Sequence, residues 1–319
     1  MQKKVVILGG VGLIGTHLCK KILDRGDQVY CVDTRELSAS PLLRDWEQHG
    51  NLHYVRHNVV SPFTIRCDEI YNLCAPIRLN YDRQLPVEAF KTYLQGSINT
   101  LENARAEFAK VVYASSSAVY NPNPRIEFDP RNAQSASGEG IRAAEMIHHA
   151  YFNEYGVDAR IARIFNVYGP GADVNDRRVV MRMISAALQN RPITIFGSGE
   201  QLRTFCWVGD IVNGLISLMG AAPDPALRTV DLGGDTEITI RALAEKIVEL
   251  TGSRSHINHV GVRFGDARSR HPNLSAATQE LNWKPQTGLV EGLRRTIEYT
   301  EKALAAYAGA NRSWIEIYG

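Results

Sequence analysis

The 319-residue sequence predicts an α/β protein, a doubly wound parallel sheet with a smaller C-terminal lobe. Three observations carry that expectation. An apolar run, Val5 to Leu8, leads into glycines spaced three apart. Strand-like and helix-like stretches then alternate as far as residue 165. Past Phe165 the alternation gives way to Gly/Pro-rich segments. Regular alternation is the pattern of βαβ units, whose strands share one parallel sheet with helices on both faces.

The first element is the strand Val5–Leu8, followed by GGVGLIGTHLCKKILDRG. Gly9, Gly12 and Gly15 allow a tight turn and a close backbone approach, and Leu13, His17, Leu18 and Ile22 recur at helical spacing. Leu13 and Ile14 stand at the start of that helix, whose unpaired N–H groups suit a pyrophosphate. The strand, glycine turn and helix are those of a Rossmann-type dinucleotide site. The next strand, in QVYCVDTRE, ends at Asp33, about twenty residues beyond the turn, where a carboxylate can accept hydrogen bonds from an adenosine ribose. It also disfavours a 2'-phosphate, so NAD is expected over NADP, a preference that Arg35 blurs slightly.

Further strands are expected at Leu52–Val55, Glu69–Leu73, Lys110–Ala114 and Ala159–Ile164, with helices around Pro86–Phe108 and Gly140–Tyr155. Residues 1–165 are therefore read as the NAD-binding domain. Residues 166–319 are read as mainly a substrate-binding lobe, interleaved through a return strand near Thr229–Leu232. In that half a helix is expected over Val179–Gln189, then irregular chain through PITIFGSGEQLRTFCWV, then a final helical pair at Ile240–Leu250 and Val290–Ala306.

Composition narrows the function classes. Thirty-six Lys+Arg against thirty-four Asp+Glu give a net charge of +2, which offers no surface for nucleic acid. The five cysteines have no C-x-x-C spacing, so neither a metal site nor disulfides are expected. The chain enters its first strand at once with no signal-peptide core, and no apolar run reaches membrane-spanning length. A cytoplasmic protein without membrane contact is the expectation.

With GGVGLIG, YASSSAVYNPNP, ARIFNVYGPG, FGSGEQLRTFCWVGDI and RHPNLSAATQELNWKP in order, the chain resembles the extended short-chain dehydrogenase/reductase family over most of its length. The resemblance is to the UDP-glucuronate decarboxylase branch, whose relatives epimerise or dehydrate nucleotide sugars. It implies an NAD site at Gly9, Gly12, Leu13, Ile14, Gly15 and Asp33, with Asn58 in place of an aspartate that touches adenine. Tyr93 replaces an asparagine near the cofactor. Asn166, Arg203 and Arg270 match positions that hold a sugar nucleotide diphosphate, and an arginine's planar fork of donors suits phosphate oxygens. It also implies a helix-bundle homodimer.

The departure lies in QSASGEGIRAAE. The resembling enzymes place a tyrosine there as acid/base, and four residues later a lysine that lowers its pKa and holds the ribose. This chain has Ser137 and Ile141, while Glu139, Gly140, Arg142 and Glu145 match the pattern around them. None of the thirteen tyrosines has a lysine four positions on. Ser117 keeps the family's hydroxyl, but Ala118 follows where the decarboxylase branch usually has glutamate. The remaining candidates near the sugar are Ser116, Ser117 and Ser137, with Cys74, Arg78, Tyr81, Asp82 and Arg83 from CAPIRLNYDR. Ser117 is expected to bond the sugar hydroxyl. Asp82, Tyr81 or a water on Ser137 is expected to take the proton, and Arg78 to meet the substrate. His148 and His149 are read as packed or solvated, and Ile141, Met146 and Ile147 as core and dimer face. Two readings stay open: an NAD-dependent enzyme acting on a UDP-linked or related sugar by an altered mechanism, or an inactive binding protein or partner of an active paralogue.

Overall fold

Alternate side chains of the first strand feed two different apolar cores. In a computed structural model that describes residues 2–44, 46–76, 85–120, 136–222, 228–261 and 269–309, and only the backbone at residues 136–137, 269–270 and 307–309, Val5 and Ile7 enter one cluster and Val6 and Leu8 the other. All four are fully buried. Successive strand residues face opposite ways, so a strand apolar at every position requires a sheet covered on both sides.

The elements follow in chain order: β1 (Lys4–Leu8), α1 (Leu13–Asp24), β2 (Gln28–Asp33), the short α2 (Pro41–Arg44), β3 (Leu52–Arg56), β4 (Glu69–Asn72), α3 (Pro86–Glu107), β5 (Lys110–Ser116), α4 (Ala136–Tyr155), β6 (Ala159–Ile164) and β7 (Val167–Tyr168). Then come α5 (Val179–Leu188), β8 (Ile193–Phe196), β9 (Leu202–Thr204), β10 (Cys206–Trp207), α6 (Val208–Gly220), β11 (Thr229–Leu232), β12 (Glu237–Thr239), α7 (Ile240–Thr251), β13 (Ile257–Val260), β14 (Ser269–Arg270), α8 (Ser275–Leu281) and α9 (Leu289–Gly309). Seven strands form one sheet in the order β11-β6-β5-β4-β1-β2-β3. Every pairing in it is parallel. The order reverses between β1 and β4, and ligands of such sheets bind outside the carboxyl ends of the strands at that reversal.

Leu18, Cys19 and Ile22 of α1 join Ile211, Leu215 and Leu218 of α6 over one face. Leu101 and Ala104 of α3 join Ile141 and Ala144 of α4 over the other. Each fully buried valine, leucine or isoleucine adds about 1.5–3 kcal/mol relative to an exposed one. A third core, including Met183, Ile184, Ile195, Leu243, Ile247 and Leu293, holds α5, α7 and α9 around β8. Thr239 caps α7 by accepting the Ala242 N–H at 3.1 Å, which satisfies one of the helix's unpaired donors.

Several segments differ from the sequence reading. Residues 192–208, expected to be irregular, carry β8, β9 and β10, which pair with strands distant in sequence. Residues 208–220, for which no element is expected, form α6. A glycine within this helix lowers its propensity, but a Cβ on Gly214 would stand 2.9 Å from a Leu232 methyl and 3.1 Å from Trp283. The glycine is what lets α6 press onto β11. Helix α4 begins at Ala136 rather than Gly140, so Ser137 and Ile141 both lie within its first turns.

Candidate active site

The nucleotide end is built from β1, α1 and the tip of β2. Gly9 turns the chain with φ +77° and donates its N–H to Val32 O at 2.8 Å, and Gly12 N–H returns to Gly9 O at 3.0 Å. A Cβ on Gly15 would stand 2.3 Å from Gly9 O and 2.7 Å from Gly10 Cα. Only hydrogen fits there, and the helix can approach the turn. Gly12 caps α1 without a side-chain bond, which leaves the first N–H groups of the helix to an anionic ligand. Leu13 and Ile14 are half-buried in that first turn. The Asp33 carboxylate accepts Val11 N–H at 3.0 Å and Arg35 N–H at 2.9 Å, so it fixes the glycine turn as well as tipping β2. Arg35 Nε lies 3.6 Å from it. Asn58 is exposed and closes a turn by accepting Val60 N–H at 3.1 Å. The glycine cradle, the open helix start and the carboxylate together fit a dinucleotide.

The residues that the sequence offers for the chemistry gather past β5. Its three serines take separate roles: Ser115 Oγ donates to Glu145, Ser116 Oγ accepts Ala118 N–H at 3.2 Å, and Ser117, 7% exposed, starts a one-turn 3₁₀ segment to Val119. The start of α4 presses on this turn. A Cβ on Gly138 would lie 3.1 Å from Ala118 O, and one on Gly140 would lie 3.1 Å from Tyr93 Cδ2. The backbone of Ser137 is thereby brought beside the Ser117–Ala118 turn. Ile141 is 4% exposed and shares an apolar cluster with Tyr93, Tyr113 and Val119. The position that holds lysine in the resembling enzymes is therefore dry. Cys74, at the end of β4, has its thiol pushed well up by burial. Arg78, Tyr81, Asp82 and Arg83 lie outside the described residues.

Residues beyond β6 supply the third part. Asn166 Nδ2 donates to Thr204 O at 2.9 Å, and Asn166 O accepts Cys206 N–H at 2.9 Å, which ties the chain after β6 to β9 and β10. Arg203 on β9 pairs in parallel register with Arg270 on β14. Two arginine positions 67 residues apart in the chain are thus register partners on adjacent strands. Beside them a cavity of about 320 Å³ is lined by Thr204, Gly234, Asp235, Glu237, His271 and Pro272, among others.

Sequence reasoning missed a polar chain that joins the second of these parts to the third. Glu145, 8% exposed, takes Arg163 Nε at 2.9 Å and Nη2 at 2.7 Å besides the Ser115 hydroxyl. Arg163 lies over the Tyr120 ring and donates to its hydroxyl at 3.1 Å. Tyr120 donates in turn to Asp231 at 2.7 Å, and Asp231 accepts Asn273 N–H at 2.9 Å. The Glu145 bond and the Tyr120 contact hold the Arg163 guanidinium firmly charged. The one sequence signal was an arginine inside the apolar strand ARIARI, where a charge must find a buried partner. Asp210 was missed too. It is 4% exposed and accepts Gln286 N–H at 3.1 Å and Thr287 N–H at 2.8 Å. His148 is fully buried, stacked on Tyr113 at 4.5 Å, with its pKa lowered to about 4 by burial. It belongs to the core, whereas His149 and Met146 are exposed on α4.

Comparison with known proteins shows the family and the fold. The profile of the NAD dependent epimerase/dehydratase family matches residues 5–233. The chain is 36% identical over 311 residues to UDP-glucuronic acid decarboxylase 1 of Danio rerio, covering 95% of this chain and 74% of that one. To UDP-glucuronic acid decarboxylase 3 of Arabidopsis thaliana it is 35% identical over 300 residues, covering 91% and 86%. Among solved structures, MoeE5 in complex with UDP-glucuronic acid and NAD superposes with a TM-score of 0.81 at 27% identity, covering 94% of this chain and 99% of that one. The UDP-glucuronic acid 4-epimerase of Bacillus cereus shares the fold, with a TM-score of 0.82 at 21% identity and coverage of 94% and 99%.

Proposed function

Because this chain belongs to the NAD-dependent epimerase/dehydratase family, we propose that it is an NAD-dependent enzyme acting on a UDP-linked sugar through an acid/base centre that lacks the tyrosine–lysine pair. The observation that carries this reading is the pairing of a dinucleotide cradle at Gly9, Gly12, Gly15 and Asp33 with Arg203 and Arg270 in register on adjacent strands. The first suits NAD and the second the diphosphate of the substrate. NAD, when bound, supplies the oxidant for a sugar hydroxyl and later returns the electrons.

The residues divide the remaining work. Leu13 and Ile14 flank the pyrophosphate at the start of α1, and Asn58 meets the adenine. Asn166, Arg203, Arg270 and Arg78 hold the sugar nucleotide. Ser117 hydrogen-bonds the hydroxyl to be oxidised, and Asp82, Tyr81 or a water on Ser137 accepts its proton. General acid/base transfer of that kind is worth about a hundred- to ten-thousand-fold. Residues 1–165, with β11, form the NAD-binding domain, and 166–319 mainly the sugar-binding lobe. The outcome is epimerisation, elimination or decarboxylation of the oxidised sugar. Exposed Val87, Phe90, Met146 and Tyr155 on α3 and α4 support a homodimer through these helices. The expected setting is cytoplasmic.

One observation favours a second reading, in which the protein binds both ligands without turnover. Ile141 is packed in the apolar core, so the ribose has lost its lysine and no ionisable group takes that position. Ser117→Ala and Asp82→Ala separate the two. The enzyme reading expects at least one of them to cut turnover of a UDP-sugar by a hundredfold or more with NAD affinity kept. Unchanged turnover in both would remove the assigned roles, and absence of turnover in the parent protein with both ligands bound would support the binding protein.

A further inference from the structure

The polar chain from α4 to the segment after β14 runs through groups outside the glycine turn and Asp33. Its middle is the Tyr120 hydroxyl, which receives an N–H of Arg163 at 3.1 Å and donates to Asp231 at 2.7 Å. One end is anchored in the sheet domain, where Arg163 is forked onto the buried Glu145 of α4. The other end leaves the sheet, because Asp231 at the end of β11 accepts the N–H of Asn273, three residues after Arg270. The same place shows close backbone contact. A Cβ on Gly233 would stand 2.9 Å from both Phe165 Cβ and Pro272 Cγ, so the turn at 271–273 docks on the ends of β6 and β11 without an intervening side chain.

We propose that Tyr120, Arg163 and Asp231 are positioning residues: a strut from α4 through β6 and β11 that sets the 271–273 turn and so holds Arg270 beside Arg203 for the diphosphate of a nucleotide. The strut deepens the nucleotide-sugar reading and rests on it. Asp231 has two acceptor oxygens, and each has its own donor. A carboxylate meets both demands, whereas an amide has a single acceptor oxygen. The Tyr120 ring covers the Arg163 guanidinium at 5.0 Å, so phenylalanine at this position keeps the ring contact and deletes only the hydroxyl. β14 is only two residues long and pairs with β9 alone among the described strands. A strand that short needs the turn after it to be fixed from elsewhere.

The test uses the full chain as Tyr120→Phe, Asp231→Asn and the double variant. UDP serves as the probe in titration calorimetry, NAD is titrated into the same preparations, and amide exchange is read over 269–274. Each single variant is expected to bind UDP about tenfold more weakly, as loss of a hydrogen bond to a charged group implies, with NAD affinity within about twofold. The Asn273 amide should exchange faster in each, and the double variant should be no weaker than the poorer single, since both break one strut. Affinity for UDP and exchange at the level of the parent protein would overturn the strut, as would fully multiplicative effects in the double variant or a parallel loss of NAD binding. A parent protein that binds NAD and not UDP would instead overturn the nucleotide-sugar reading and with it the role of the strut.

Discussion

The Arg163 guanidinium meets the Glu145 carboxylate with two prongs, Nε at 2.9 Å and Nη2 at 2.7 Å, where β6 passes under α4. The carboxylate is nearly buried, and among the described residues it also accepts the hydroxyl of Ser115. Removing the cation alone leaves a buried charge under-compensated, which costs about 3 kcal/mol. Arg163→Met is therefore expected to lower unfolding stability by that amount in urea titration. Adding Glu145→Gln should recover part of the loss, and a double variant as unstable as the sum would argue against a coupled pair.

Gly15 tests the nucleotide cradle. Glycine to alanine in a helix ordinarily helps by about 0.8–1 kcal/mol, but here the new Cβ meets backbone atoms of Gly9 and Gly10 that no rotamer change can move. Gly15→Ala is expected to destabilise by about 1–3 kcal/mol, the usual range for overpacking. It should also weaken NAD binding about tenfold or more. Calorimetry on the variant reads both, and parent-like NAD affinity would contradict the cradle.

His148 gives stability a dependence on pH. Burial lowers its pKa from 6.5 to about 4, so the native ring stays neutral while the unfolded chain takes up a proton below about 6.5. Its contribution is complete above that value and is lost as pH falls toward about 4, by about 3 kcal/mol over the window. His148→Phe should flatten the difference in urea-unfolding free energy between pH 7 and pH 4.5 relative to the parent. An unchanged slope would mean that His148 is protonated in the native state.

The vacated lysine position makes a separate prediction. Ile141 is in the core, and an ammonium placed there must lose its hydration or its proton. Ile141→Lys alone should cost several kcal/mol, read as a fall in thermal midpoint that NAD reduces if the lysine reaches a ribose. With Ser137→Tyr added, an enzyme that has rebuilt its proton chemistry should lose its own reaction by about a hundredfold. A protein whose chemistry has merely decayed should regain family-type turnover.

Much of the sheet was legible in sequence because each strand states its environment locally. β6 and β11 have the expected bounds, Ala159–Ile164 and Thr229–Leu232, since an apolar strand bounded by turn residues needs no long-range information. Helix α6 was not legible. Its three glycines weaken the helical signal, and the reason for Gly214, contact with Leu232 and Trp283, exists only in three dimensions. The same holds at the site. The glycine turn and Asp33 lie close in sequence and were found, whereas Tyr120 and Asp231 are 111 positions apart and meet only through the order of the strands. The register of Arg203 against Arg270 was likewise hidden until β9 and β14 paired.

The central claim is that a chain without the tyrosine–lysine pair still transforms a UDP-sugar with NAD. Mass spectrometry of the products after incubation with NAD and UDP-glucuronate, alongside a panel of other UDP-sugars, tests it most directly. The account predicts a new nucleotide-sugar product that disappears or falls a hundredfold in Ser117→Ala or Asp82→Ala, its mass reporting loss of carbon dioxide, loss of water or rearrangement. Tight binding of NAD and UDP-sugar with every sugar recovered unchanged would contradict it.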